Sequence, residues 1–344
     1  MPLERIQRLA LLAAVAIVFT LPAVGARSEA EASAMTADKR AASQSAAGVR
    51  FRADAGKRGG WPAEWADLSC EHFTRVTRVK RPVAQGRRAY RIRLQEGDES
   101  YGERCELGMA NTPPADIDRV GGSRVLFHNG TESWIAQQIM LDPHVYAFCG
   151  TECRLDYDGG LVQQLKQTGT CGTPANGIVT RDLPGVGVVL EHRNSAENDC
   201  GNDAMRSLWR VPVRRGRWIR ILQHVRWSTD PGSGYIATWI DGRPVEPALD
   251  GSAMHVTRAG DEIRVHTWTL KDGPSVERLP QCLSHPCAHL RNGVYRDSRV
   301  RGDSIVYVDG TTVAGTRAAA EVGLRRGPRA RAPRRTAPRS RAPR

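Results

Sequence analysis

The chain has 344 residues and a formal net charge of +13. Arg325–Arg344 holds nine arginines and no acid, and the first 26 residues add one more positive charge, which leaves +3 for residues 27–324. The excess charge is a property of the tail. It fits loose attachment to polyanions and excludes a strongly basic fold, so no nucleic-acid partner is expected.

Arg5 and Arg8 precede an apolar run, Leu9–Val18, which closes on the small residues Val24-Gly25-Ala26. That order predicts a secretory signal peptide over 1–26. The run is shorter than the roughly 20 residues of a spanning helix, and no other run approaches that length. A secreted protein without a membrane span is expected. Residues 27–49, rich in Ala, Ser and Glu, read as a linker, and 50–324 as one all-β domain. Residues 325–344 contain only Arg, Ala, Pro, Gly, Thr and Ser and read as a disordered tail. Deleting that tail is expected to weaken salt-sensitive retention on anionic polymers without changing turnover.

Eight cysteines accompany the leader, so disulfides are expected. Cys149/Cys153 and Cys282/Cys287 suit local closures, and Cys70/Cys105 and Cys171/Cys200 longer links, with the pairing left open. No second pair of ligands stands at zinc spacing, and no metal site is predicted.

Period-two alternation then marks strands at 88–94 (RAYRIRL), 133–141 (SWIAQQIML), 160–168 (GLVQQLKQT) and 186–194 (VGVVLEHRN). The clearest pair is RWIRILQHVRWS (217–228) and GYIATWIDG (234–242), joined by the turn-rich DPGSG. In the first of these, Ile219, Ile221, Val225 and Trp227 share one face, and Trp218, Arg220, Leu222, His224 and Arg226 share the other. Trp227 is expected in the core. Late strands follow at DEIRVHTWTL, CAHLRNGVY and SIVYVDG. Many short strands separated by Gly, Pro and Asp turns predict a β-sandwich or jelly roll of two antiparallel sheets.

YGERCELG (101–108) places Arg104 and Glu106 on one strand face, a spacing at which an ion pair can also grip a sugar carboxylate. In CAHLRNGVY, His289, Arg291, Gly293 and Tyr295 share a face. His192 and Arg193 end the strand VVLEHR, and His224 sits among the basic residues of RWIRILQHVRWS. His128, beside an Asn-Gly turn, is a further groove candidate or a plain exposed loop histidine.

In order, GERCEL, ESWIAQQIMLDP, GLVQQLKQT, the tryptophan-framed hairpin RWIRILQHVRWSTDPGSGYIATWIDGRPV and HLRNGVYRD resemble the secreted polysaccharide lyases of the heparin lyase I and glucuronan lyase group. Alginate lyases of the same jelly-roll type are more distant relatives. The resemblance covers roughly residues 85–320. It implies a concanavalin-like jelly roll whose concave sheet binds an acidic, uronate-containing polysaccharide. It also implies β-elimination: a base removes the C5 proton beside the carboxylate, and the C4 oxygen leaves. That chemistry needs donors or cations on the carboxylate and a proton carrier at C5 and C4.

Position by position, Arg104 matches the arginine of the family's RxEL pattern. Gln164 matches the glutamine of its Q-x-H strand, with Lys166 where the histidine stands. Gly293 and Tyr295 match the late motif, Arg291 replaces a lysine, and His289 stands where the catalytic tyrosine is expected. The implied catalytic set is His289, Tyr295, Lys166, Gln164 and Arg104. The implied substrate-binding set is Glu106, Arg291, His192, Arg193 and His224. His289 can serve as base or acid, and Lys166 can neutralise the carboxylate or act as a base. These two departures leave open a carbohydrate-binding protein that holds the sugar without cutting it. No cofactor is expected, a structural calcium ion is left open, and a monomer is expected.

Overall fold

The structure is a computed structural model and describes residues 48–53, 55–56, 64–100, 102–110, 125–149, 158–167, 176–195, 205–248, 255–271 and 286–325. The signal-peptide, linker and tail expectations, and Cys153, Cys171, Cys200 and Cys282, lie outside them. Strands follow in chain order: β1 (Val49–Arg52), β2 (Asp67–Cys70), β3 (Val76–Val79), β4 (Ala89–Leu94), β5 (Arg104–Gly108), β6 (Phe127–His128), β7 (Glu132–Tyr146), β8 (Gly160–Gln167) and β9 (Asn176–Leu183). The second half holds β10 (Gly187–Ser195), β11 (Met205–Pro212), β12 (Ile219–Arg226), β13 (Tyr235–Ile240), β14 (Arg243–Pro244), β15 (Val256–Ala259), β16 (Glu262–His266), β17 (Cys287–Tyr295) and β18 (Ser304–Ala314). A short helix, α1 (Arg317–Glu321), follows β18.

They form two antiparallel sheets. The first runs β15-β16-β13-β12-β7-β18-β4-β3, with β1 on β18 and β14 on β13. The second runs β11-β10-β9-β8-β17-β5-β2, with β6 on β17. This is the jelly roll expected from the strand pattern. The strands read at 133–141, 160–168, 217–228 and 304–310 appear as β7, β8, β12 and β18 with shifted ends.

Alternation decides what each sheet buries. Ile219, Ile221 and Val225 of β12, with Trp227 just beyond it, meet Leu290 and Val294 of β17 and Leu165 of β8 in one core. Trp227 is fully buried and stacks on Phe127 of β6, with ring centroids 4.3 Å apart and planes 5° from parallel. This contact joins the two sheets beside β17. The core also holds amides: Gln163 Nε2 donates to Gln223 Oε1 across the sheets at 2.9 Å, and Asn292 Nδ2 donates to Thr311 Oγ1 at 3.2 Å. Such directional bonds between apolar layers fix how the sheets sit against each other.

Two irregularities interrupt the second sheet, and the first aims side chains of the site. Between Leu161 and Gln163 of β8 the register shifts, so Gln163 turns into the core while Gln164 faces outward opposite Arg291. A second shift, opposite His192 and Arg193, comes from the extra residue Leu208 on β11, while β10 itself alternates without a break. Bulges of this kind re-aim side chains at sheet surfaces.

Candidate functional site

The outer face of the second sheet gathers most of the expected residues. On β17, His289 lies opposite Lys166, Arg291 opposite Gln164 and Gly108, Gly293 opposite Glu106, and Tyr295 opposite Arg104. Paired residues share a face, so His289, Lys166, Gln164, Arg291, Glu106, Arg104 and Tyr295 form one cluster over three adjacent strands.

Arg291 is its hub. Its Nε donates to His289 Nε2 at 3.2 Å, Nη1 to Ser69 Oγ at 2.8 Å, and Nη2 pairs with Asp67 Oδ2 at 2.9 Å. Glu106 Oε2 stands 3.9 Å from Arg291 Nη1 and 3.8 Å from Arg104 Nη1, and Glu106 Oε1 accepts from Gln164 Nε2. The Arg104 guanidinium lies 4.0 Å from the centroid of the Tyr295 ring, a cation–π distance. Arg291 is expected to grip substrate, but its buried guanidinium is taken up by protein groups, and it orients His289 and Glu106 instead.

Burial, then the positive charges of Arg291 and Lys166, holds the His289 imidazole well below its ordinary value of 6.5. The ring is therefore neutral near pH 7. Since Nε2 accepts from an arginine, the ring proton resides on Nδ1. Nδ1 is buried and has no hydrogen-bond partner among the described residues.

Gly293 is required by a close approach. A Cβ there would collide with the Cys105 carbonyl oxygen and the Glu106 Cα, so only glycine lets β17 lie this near β5. At the cluster's edge the disulfide Cys70–Cys105 joins opposite residues of β2 and β5. It is one of the pairings expected from sequence. Cys149 and Cys287 are disulfide-bonded too.

A second group lies on the same face across β9, β10 and β11. Buried Glu191 approaches Arg181 (3.4 Å), Arg193 (3.7 Å) and Arg210 (3.0 Å). Arg193 thus shares the outer face with Glu191. His192 does not: alternation turns it inward, edge-on to Trp209 at 5.6 Å, and burial alone pushes its imidazole down to about 3. His224 is on the other sheet, on the outer face of β12. There its Nδ1 meets Glu262 at 2.8 Å and its Nε2 meets Glu132 at 3.2 Å, and the ring stacks on Trp134. Neither histidine can reach a sugar bound over β17. The basic residues of β4 and β12 likewise belong to the first sheet and do not continue the β17 row.

Sequence reasoning missed Asp67, Ser69, Glu191, Arg181 and Arg210. The first two carried a usable signal: Asp67 and Ser69 alternate just before Cys70, and a Cys70–Cys105 bridge places them beside Glu106. His128, opposite Cys287, shares the face of His289. Among the described residues no group of three or more His, Cys, Asp or Glu is arranged to hold a metal ion, and no helix is long and apolar enough to cross a membrane.

The two sheets form a jelly roll with a cluster of charged and polar residues on the outer face of the second, and the sequence comparison gives its family. Residues 58–312 match the family described as polysaccharide lyase, and the chain belongs to that family. Among solved structures it is similar to an endo-β-1,4-glucuronan lyase from the fungus Trichoderma reesei, at 18% identity and a TM-score of 0.48, covering 79% of this chain and 98% of that one. It is also similar to alginate lyase A1-II', a member of polysaccharide lyase family 7, at 13% identity and a TM-score of 0.40, covering 64% of this chain and 76% of that one. No curated protein sequence matches it.

Proposed function

We propose that this polysaccharide lyase cleaves a uronate-containing acidic polysaccharide by β-elimination in the groove over β8, β17 and β5. The observation that carries the reading is the gathering of Lys166, Gln164, Arg104 and Tyr295 on one face of three adjacent strands. A uronate carboxylate seated there meets two partly exposed cations, Lys166 and Arg104. These stabilise the negative charge that builds on the carboxylate as the C5 proton leaves.

A neutral imidazole with its Nε2 lone pair already used is a poor base, so proton transfer falls to Tyr295. As phenolate it takes the C5 proton. As phenol it passes the same proton to the C4 oxygen as the glycosidic bond breaks and the C4–C5 double bond forms. One proton and one residue close the cycle, which ends with the phenolate restored. Lys166 and Arg104 neutralise the carboxylate, and Arg291, Asp67 and Ser69 position the donors.

The test is the purified full chain on glucuronan, alginate, heparin and heparan sulfate, followed by ultraviolet absorbance of unsaturated products. Cleavage of at least one is expected, and binding without any absorbance rise would overturn the catalytic reading in favour of a binding protein. Tyr295→Phe is expected to lower kcat by about 100-fold or more. An unchanged rate would remove Tyr295 from the proton path.

We also read the protein as exported and monomeric, with a mature chain beginning after Ala26 and its catalytic domain within 50–324. The leader sequence and the Cys70–Cys105 bridge support export. Mass spectrometry and light scattering of the secreted product test both points.

A further inference from the structure

At one end of the sandwich lies a second concavity of about 1940 Å³, built by the 80–88 segment, the β11–β12 turn and the residues that follow β13. Lys80, Arg81, Arg87, Arg214, Arg217 and Arg243 line it, all exposed. Among the described residues none of these six makes an ion pair. The acids of the same cleft are already engaged: Asp241 pairs with Arg220 at 3.2 Å and Glu246 with Arg258 at 2.6 Å. Trp218 contributes a half-buried indole to the wall. Six uncompensated cations around one concavity make a focused positive field.

The cleft begins where an outer-face row of the second sheet ends. Tyr295 lies opposite Leu161, Leu161 opposite Val179, Val179 opposite Glu191, and Glu191 opposite Arg210. That row crosses four strand spacings, about 19 Å at the usual interstrand distance. Arg210 ends the row and also lines the cleft.

We propose that the cleft is an exosite for the enzyme's own polymer, holding a stretch of polyanionic polysaccharide several sugars away from the bond being cut. The inference rests on the groove reading above. A polyuronate chain crossing the strands from Tyr295 would leave the sheet at Arg210 and meet the cleft cations next. A long chain therefore gains contacts that a short oligosaccharide cannot reach, and the site acts on KM for polymer alone.

The test is the full chain with Arg214→Ser, Arg217→Ser and Arg243→Ser combined, positions exposed enough to leave the core untouched. On the preferred polyuronate, KM is expected to rise about 3- to 10-fold with kcat unchanged, as three exposed charge contacts would give. On a tetrasaccharide of the same polymer both constants should stay at wild-type values. An unchanged KM for polymer, or an equal loss on polymer and tetrasaccharide, overturns the exosite. Affinity electrophoresis through glucuronan and alginate gels separates this outcome from failure of the lyase reading. If the wild-type chain cuts nothing yet is retarded more than the triple variant, the cleft stands and the catalytic assignment falls. Equal retardation of the two proteins, or tighter binding of duplex DNA than of polyuronate at equal charge concentration, rejects a polysaccharide exosite.

Discussion

His289 shows how one neighbour changes what a residue can do. Read along the strand, it is an imidazole of ordinary basicity on a polar face. In the fold, Arg291 occupies its Nε2, and burial keeps it neutral. It offers a proton to hold, not a lone pair to take one. His289→Gln keeps an acceptor for Arg291 Nε and is expected to retain more activity than His289→Ala, which leaves that N–H unpaired in a buried site. Comparing the two rates checks this, and equal losses would mean that the contact with Arg291 is irrelevant. Gly293 makes the opposite point, since its contribution is an absent side chain. Gly293→Ala must push β17 from β5, with an expected loss of about 1–3 kcal/mol of stability, the usual range for overpacking, read from urea melts. Activity should fall with it, because Arg291 and Tyr295 ride on the same strand.

At the scale of strands, alternation made the fold legible and partner choice limited the site. The faces of β12 are those expected, with Ile219, Ile221, Val225 and Trp227 inward. Period two says which residues point together, but not which sheet a strand joins. His224 and His289 therefore look alike in sequence and lie on different sheets. His192 misleads for a simpler reason: unbroken alternation along β10 turns it inward between Glu191 and Arg193, so the neighbours His192 and Arg193 cannot both face a sugar. Asp67 and Ser69, which hold Arg291, come from β2, a four-residue strand with too little pattern to read alone. His224 now carries a structural prediction. Its two carboxylate partners bind β12 to β7 and β16, so His224→Ala should leave KM and kcat unchanged while lowering stability by about 1–3 kcal/mol. Kinetics paired with a thermal melt check it, and a raised KM would return His224 to the binding surface.

The whole molecule inherits a pH dependence from two buried imidazoles. In the unfolded chain His192 and His289 take up protons near pH 6.5. In the folded chain His192 does so only near 3, and His289 well below 6.5. The folded state binds fewer protons in that window, so this share of stability is full above pH 6.5 and is lost as pH falls below it. Each histidine accounts for up to about 1.4 kcal/mol per pH unit. Urea midpoints between about pH 7 and about pH 5, above the range where carboxylates titrate, should fall accordingly. His192→Leu should remove roughly half of that slope while leaving activity intact, and an unaltered slope would show that His192 is not held neutral. The Cys70–Cys105 bridge has a further meaning at this scale. It pins β2, and β2 carries the two oxygens that keep Arg291 turned toward His289. Oxidation state is thereby written into the catalytic geometry, and a chain matured in a reducing cytoplasm would be folded yet poorly aimed. Cys70→Ser with Cys105→Ser should raise KM as well as lower stability by about 2–5 kcal/mol. A recombinant preparation that ignores thiol status would report the redox history of the sample as though it were the activity of the enzyme.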